Sequence, residues 1–271
     1  MISLRRDILQ KKLGWMPKVW LAALEAHRLA DEYQIVSFEL KSPESLELPA
    51  EFQCLTGTQY FFSSRGPVNN NKDVAIHKPG LDPRLVRADL LTYSCTNAVY
   101  TFWHIIHRIL GTDPDFKGIN WMRRNPCPKF MIFEIDDIDD ITAYSHDFFL
   151  VTYEGTDRFV VDLTGAQFGW EEWLYTEKEY ERNLLKCTLK PKPVMAEEEI
   201  LDYNEKEDGA VILMKQIIER RIEEAEAQEI AGEEAHTVYE KLLDRVGSDI
   251  LDALNRRKAI MEEGHESLSI V

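Results

Sequence analysis

Two runs rich in branched and aromatic residues, Phe148–Tyr153 and Arg158–Leu163, flank the tetrapeptide Glu154-Gly155-Thr156-Asp157. A polar, glycine-containing tetrapeptide between β-rich runs is a turn signal, so a β-hairpin is expected here. The second run carries an acid, Asp162, inside Phe159-Val160-Val161-Asp162-Leu163. A charge in such an apolar strand is costly unless it has a partner. The hairpin lays the stretch around His146–Leu150 beside the stretch around Asp162–Ala166, so the imidazole of His146, at the head of the first strand, can meet that carboxylate. With a further strand at Lys129–Ile135 and helices elsewhere, the class is α+β.

A helix is expected at Ser94–Leu110, in TYSCTNAVYTFWHIIHRIL, with Ser94 as N-cap and Gly111 just past its end. Cys95 then stands in the first turn, on the face shared with Ala98, Phe102, Ile105 and Ile109. A helix N-terminus presents unpaired N–H groups and partial positive charge, which stabilise a thiolate and can receive a developing oxyanion. Singly, these residues read as a buried cysteine, a strand-end histidine and a turn-proximal acid. Together they supply what thiol catalysis needs: a nucleophile in Cys95, a base in His146 and an acid in Asp162 to orient the imidazole.

Cysteine opening a helix, histidine heading a strand and aspartate in the next strand follow the order of the papain-like superfamily in its transglutaminase-like branch. The resemblance is carried by Ser94-Cys95-Thr96-Asn97-Ala98, by Ser145-His146 and by VVDLTGAQFGW at Val160–Trp170. The separation of His146 from Asp162 is similar to that of the branch, and Asp162-Leu163-Thr164 resembles its usual Asp-Pro-Thr with leucine for proline. It implies a papain-like domain with the nucleophile helix packed on an antiparallel sheet, Cys95 as thiol nucleophile, His146 as general base and Asp162 as orienting acid. It implies hydrolysis of an amide or peptide bond without metal or organic cofactor. Glutamine deamidation and acyl transfer are the alternatives on the same triad. The substrate would be a protein, peptide or other amide. Papain-type members also place an oxyanion glutamine before the nucleophile, for which Gln59 is the available residue. Arylamine N-acetyltransferases share the arrangement, but their Arg-Gly-Gly context before the cysteine is missing here.

The acids are unevenly spread. Of 48 acids and 32 bases, 21 acids and 9 bases lie from Ala196 onward. Lys190-Pro191-Lys192-Pro193 precedes that change and suits a linker, because proline stops helix and sheet alike. The expected division is a papain-like domain at residues 1–190 and an acidic helical appendage at 191–271. In the appendage Val211, Met214, Ile218, Ile222 and Ala225 form one apolar stripe, and Leu243, Val246, Ile250 and Leu254 another, with Gly232 and Gly247 as interruptions. These stripes would pack on the main domain or serve a protein partner or self-association. A rival to the enzyme is therefore a catalytically inactive interaction protein that binds through its acidic helices.

A net charge of −16 argues against the phosphate backbone of nucleic acid as main partner. No run of eighteen apolar residues exists, so no membrane span is expected. The first fifteen residues lack the apolar centre of a secretory signal. Arg5, Arg6, Lys11 and Lys12 would suit a mitochondrial presequence, against which Asp7 counts. Cys54, Cys95, Cys127 and Cys187 form no CxxC pair and read as free thiols in a reducing compartment, the cytoplasm. A helix is expected at Pro17–Tyr33, while residues 41–90, with the turn at Asn69–Asn71, read as mostly irregular. His104 and His107 have no acid or thiol at ligand spacing. Trp121–Asn125 forms a basic, aromatic patch, read as an exposed loop or a groove lining, and Trp170, Trp173 and Tyr175 are candidates to cover the site.

Overall fold

The computed structural model describes residues 2–42, 46, 57–67, 75–134, 145–155, 157–185, 192–194, 198, 200, 209–230 and 235–268. Cys54, Cys187, Gly232, the Asn69–Asn71 turn and Thr156 lie outside them. The chain opens with α1 (Ile2–Leu13) and α2 (Met16–Ala30). Pro17 sits in the first turn of α2, where a missing N–H costs nothing, and Val19, Trp20, Ala23 and Ala26 make its buried stripe. The helix stops before the expected Tyr33. Glu32 takes a positive φ of 61°, and Tyr33 already belongs to β1 (Tyr33–Lys41). Arg5 bonds Asp115 and the Glu154 carbonyl, and Arg6 bonds the Leu174 carbonyl, so the basic N-terminal residues tie α1 to the rest of the fold.

The stretch expected to be irregular holds two elements, β2 (Gln59–Pro67) and α3 (Pro83–Leu91). Ser63, Ser64, Gly66 and Pro67 look like turn residues, but β2 is paired on both sides, antiparallel to β1 and parallel to β4 (Phe130–Glu134). These three strands form one sheet, in the order β1-β2-β4. α3 starts on Asp82, whose carboxylate accepts from the Arg84 N–H, with Pro83 at its first position. Next comes α4 (Cys95–Leu110), as expected, although Gly111 adopts right-handed rather than left-handed geometry.

The second sheet comprises β3 (Phe116–Arg124), β5 (His146–Tyr153), β6 (Arg158–Val161), β7 (Leu174–Thr176) and β8 (Lys192–Pro193). Its order is β7-β6-β5-β3-β8, with every neighbouring pair antiparallel. The expected hairpin is β5–β6, with Phe149 opposite Val161. Both faces of β5 are covered, and the two-residue strand period sorts its side chains. Phe149, Val151 and Tyr153 join Ala98, Phe102 and Ile105 of α4 in the main core. Phe148 and Leu150 join Val160, Phe168, Trp170 and Tyr180 in a second cluster. Tyr180 comes from α5 (Glu177–Leu184), which opens on a capping box between Thr176 and Glu179.

Three readings around this sheet are corrected. The Trp121–Asn125 patch is no exposed loop: its first four residues end β3, Trp121 is fully buried, and Arg123 is held by Asp147. Lys192 and Pro193 do not act as a linker but pair with Met122 and Arg123 at the sheet edge, where proline is tolerated. Gly247 does not interrupt a helix. It lies within the continuous α7 (Ala235–Leu268), facing α2, where even a Cβ would meet the Ala22 carbonyl at an ordinary 3.6 Å.

α6 (Gly209–Ile230) and α7 supply the two expected stripes, and both turn inward. Met214, Ile218, Ile222, Val246 and Ile250 are buried in the same core as Val19, Trp20 and Phe102. Arg221 bonds Asp249 between the two helices, and Lys258 reaches Glu32. Among the described residues, no helix is long and apolar enough to cross a membrane. Ile250→Ala should therefore cost about 2–5 kcal/mol, as for other fully buried isoleucines. It should leave a single urea transition monitored by tryptophan fluorescence. A second transition, or no measurable loss, would mean that the C-terminal helices fold apart from the sheet.

Candidate active site

Thr92-Tyr93-Ser94 makes the corner between α3 and α4. Tyr93 holds a positive φ of 61°, uncommon for a residue with a side chain, so the chain turns sharply and Cys95 becomes the first helical residue. Ser94 occupies the cap position without capping. Its hydroxyl donates to the Leu91 carbonyl at 2.8 Å, and the Trp20 indole points at it from 3.4 Å. The first turn of α4 thus keeps its N–H groups clear of the Ser94 side chain, beside Cys95, which is buried with 8% residual exposure.

The antiparallel register carries His146 and Asp162 to the same end of the β5–β6 pair. Both are sealed, at 0% and 1% exposure. His146 Nε2 donates to Asp162 Oδ2 at 2.9 Å, and Cys95 lies close enough to the same ring to raise its pKa. With Nε2 engaged by the carboxylate, Nδ1 is the nitrogen left for the sulfur. Phe168 and Trp170 meet the imidazole edge to face, at centroid distances of 4.8 and 5.8 Å, and wall off the pair. All three residues named from sequence are therefore brought together.

The buried carboxylate is satisfied by more than histidine. Tyr180 donates its hydroxyl to Oδ2 at 2.7 Å, and the Thr164 N–H donates to Oδ1 at 3.1 Å. Gly165 packs so tightly here that a Cβ would lie 2.8 Å from Oδ2. Burial, with the Asp162 charge beside it, raises the Tyr180 phenol well above its ordinary range, so it stays a neutral donor. For His146, burial alone would lower the pKa. The Asp162 charge and hydrogen bond, reinforced by Cys95, outweigh it and push the value up from 6.5 to about 10.

A second link docks α4 on β5 one residue further along each element. Thr96 Oγ1 donates to Asp147 Oδ2 at 2.8 Å, and Arg123 grips the same carboxylate through Nε at 2.7 Å and Nη2 at 2.9 Å. Tyr180, Gln167 and the Thr96–Asp147–Arg123 link were not assigned to the site from sequence, because each reaches it through tertiary packing, whereas the Thr164 N–H meets Asp162 locally, two residues along the chain. The only local hint was Gln167, a polar residue within the site segment VVDLTGAQFGW. Gln59, by contrast, is exposed at the start of β2 in the other sheet. His104 and His107 are exposed on α4, and no group of three metal-ligating side chains occurs among the described residues. Cys127 is a partly exposed free thiol. Comparison with protein families, curated proteins and solved structures finds no match.

Replacing Asp162 by Asn removes the charge that holds the imidazolium. The His146 midpoint, followed by the NMR shift of its ring carbon, should fall from about 10 to below its ordinary 6.5, because burial then acts with little opposition. A midpoint that stays high would show that Asp162 does not control the ring. The native pair stabilises the fold fully below about pH 6.5, and that contribution fades as pH rises toward about 10; Asp162→Asn should flatten this dependence. Tyr180→Phe keeps the ring and deletes one donor to a buried carboxylate, at a cost of about 1.5–3 kcal/mol in urea unfolding. No loss would mean that the 2.7 Å bond contributes little.

Proposed function

We propose that the protein is a thiol-dependent hydrolase of amide or peptide bonds, built on a papain-like core of the transglutaminase-like type. The observation that carries the reading is the buried chain of contacts from Cys95 through His146 to Asp162. A histidine held as imidazolium beside a cysteine that opens a helix is the pairing of proton carrier and nucleophile that thiol catalysis needs. Cys95 Sγ attacks the amide carbonyl, and the carbonyl π electrons move onto oxygen. The backbone N–H of Cys95, in the first turn of α4, receives part of that charge. As the tetrahedral intermediate collapses, the C–N bond breaks and His146 Nδ1 gives its proton to the leaving amine. Water, deprotonated by His146, then attacks the thioester, releases the acid and restores the thiolate. Asp162 holds the ring throughout, and Tyr180 and Thr164 hold Asp162.

An amine in place of water would make the same groups an acyltransferase, and a glutamine side chain as substrate would make them a deamidase. The fractional exposure of Cys95, against the complete burial of His146 and Asp162, supports approach from the sulfur side. The rival reading, a binding domain acting through its acidic helices, is weakened because their apolar stripes are spent inside the fold. A free thiol nucleophile suits a reducing compartment, and the cytoplasm is the proposed location.

The test is the alkylation of each cysteine by iodoacetamide as a function of pH, read by mass spectrometry on the native protein. Cys95 should react faster than Cys127 and should slow in both His146→Ala and Asp162→Ala. Cys95→Ala should fold and lose all turnover of amide substrates. A Cys95 that reacts no faster than Cys127, indifferent to both substitutions, would sink the proposal.

A further inference from the structure

We infer that a groove at the far end of α4 from Cys95 binds a long-chain fatty acid, with the alkyl chain on an apolar floor and the carboxylate among three lysines. The inference does not depend on the thiol chemistry. Arg108 and Ile109 lie in the last turn of the helix that Cys95 opens, about 20 Å away at the helical rise per residue.

The groove encloses about 970 Å³, within the usual range of small-molecule sites, and lies where α1, α4, α6 and α7 meet the turn into α2. Ile8, Trp15, Ile109, Tyr239 and Leu243 supply its apolar lining. Trp15 and Tyr239 stack at 5.0 Å with their planes 10° apart, and the Trp15 indole donates to the Lys12 carbonyl at 2.9 Å. The aromatic pair is therefore a fixed surface. Leu243 is the member of its stripe that the core leaves half-buried, whereas Val246, Ile250 and Leu254 are buried. A contiguous apolar strip thus faces the groove, and an alkyl chain covers it without asking for hydrogen-bond partners.

Around this floor the sign of the protein reverses. Against a net charge of −16, the cations Lys11, Lys12, Lys18 and Arg108 line the groove with only two acids, Glu226 and Glu240. Arg108 is engaged by Glu223 and Glu226, each at 3.4 Å. The three lysines have no ion-pair partner among the described residues. Lys11 and Lys12 close α1, where the helix dipole favours a cation. Lys18 instead stands in the first turn of α2, where the dipole disfavours one and no acid compensates. Helix electrostatics leave Lys18 unexplained, and an anion in the groove accounts for it. The cations without partners are point charges that suit a single carboxylate, while the one guanidinium, the group that grips phosphate bidentately, is already held.

The test is isothermal titration calorimetry of the full chain with dodecanoate below its micellar concentration. One saturable site is expected, with decanoate weaker by up to about tenfold because two methylenes leave the floor. Dodecyltrimethylammonium, the same chain with the opposite charge, should show no saturable binding. Lys11→Glu/Lys18→Glu reverses two exposed charges without touching the core, and should weaken dodecanoate by about tenfold, less at high salt. Lys117→Glu, on β3 and outside the groove, should leave the affinity unchanged. Circular dichroism checks the fold of both variants. Absence of a saturable site for dodecanoate would overturn the inference. So would equal affinity for the two head charges, or equal loss in the Lys117 variant. A dimer in sedimentation velocity that the lysine pair variant splits would make a second copy the occupant, and would overturn it as well.

Discussion

The carboxylate of Asp162 is the constraint around which this half of the molecule is arranged. An ionised group with 1% exposure, set between apolar strand residues, is tolerated only if nearly every lone pair finds a donor. Three donors arrive from three places: the ring of His146 on β5, the hydroxyl of Tyr180 on α5 and the N–H of Thr164 just beyond β6. Meeting that requirement fixes the register of the hairpin, the docking of α5 and the path of the chain through Gly165. The same attraction outweighs burial at His146 and keeps its imidazole charged.

The helix that carries Cys95 is held on this sheet from two directions. In front, Cys95 lies close to His146, and the next pair along, Thr96 and Asp147, is hydrogen-bonded and locked by Arg123. Consecutive residues on a helix and on a strand are thereby matched, which leaves little freedom for the sulfur to slide along the ring. Behind, Trp20 of α2 packs on Phe102, and α7 packs on α2 with Gly247 against the Ala22 carbonyl. The C-terminal helices therefore form the back of the layer that holds Cys95, and their burial bears on its position as much as on stability.

Local signals and tertiary ones differed in how far they could be read. The hairpin was legible because Phe148–Tyr153 and Phe159–Val161 are apolar on both sides of a glycine turn, and α4 because its apolar spacing and flanking residues mark both ends. The grouping of Cys95, His146 and Asp162 followed, since all three lie at the edges of those elements. β2 was not legible: Ser63, Ser64, Gly66 and Pro67 favour a turn locally, and only pairing with β1 on one side and β4 on the other makes a strand of them. Tyr180 gave no hint, because its partner is found only once α5 folds over the hairpin. Gly247 pointed the wrong way for the same reason: in isolation it weakens a helix, while the packing of α7 on α2 and α6 carries the helix through it.

Burial also divides the work within the site. His146 and Asp162 are closed off behind Phe168 and Trp170, where a charge pair is strong and proton exchange with solvent is hindered. Cys95, also buried, retains 8% exposure, so the solvent boundary lies nearer to it than to the ion pair behind it. In a chain of net charge −16, the site is balanced within itself: His146 faces Asp162 and Arg123 faces Asp147, so each buried acid is matched by a cation rather than left to the surrounding excess of negative charge.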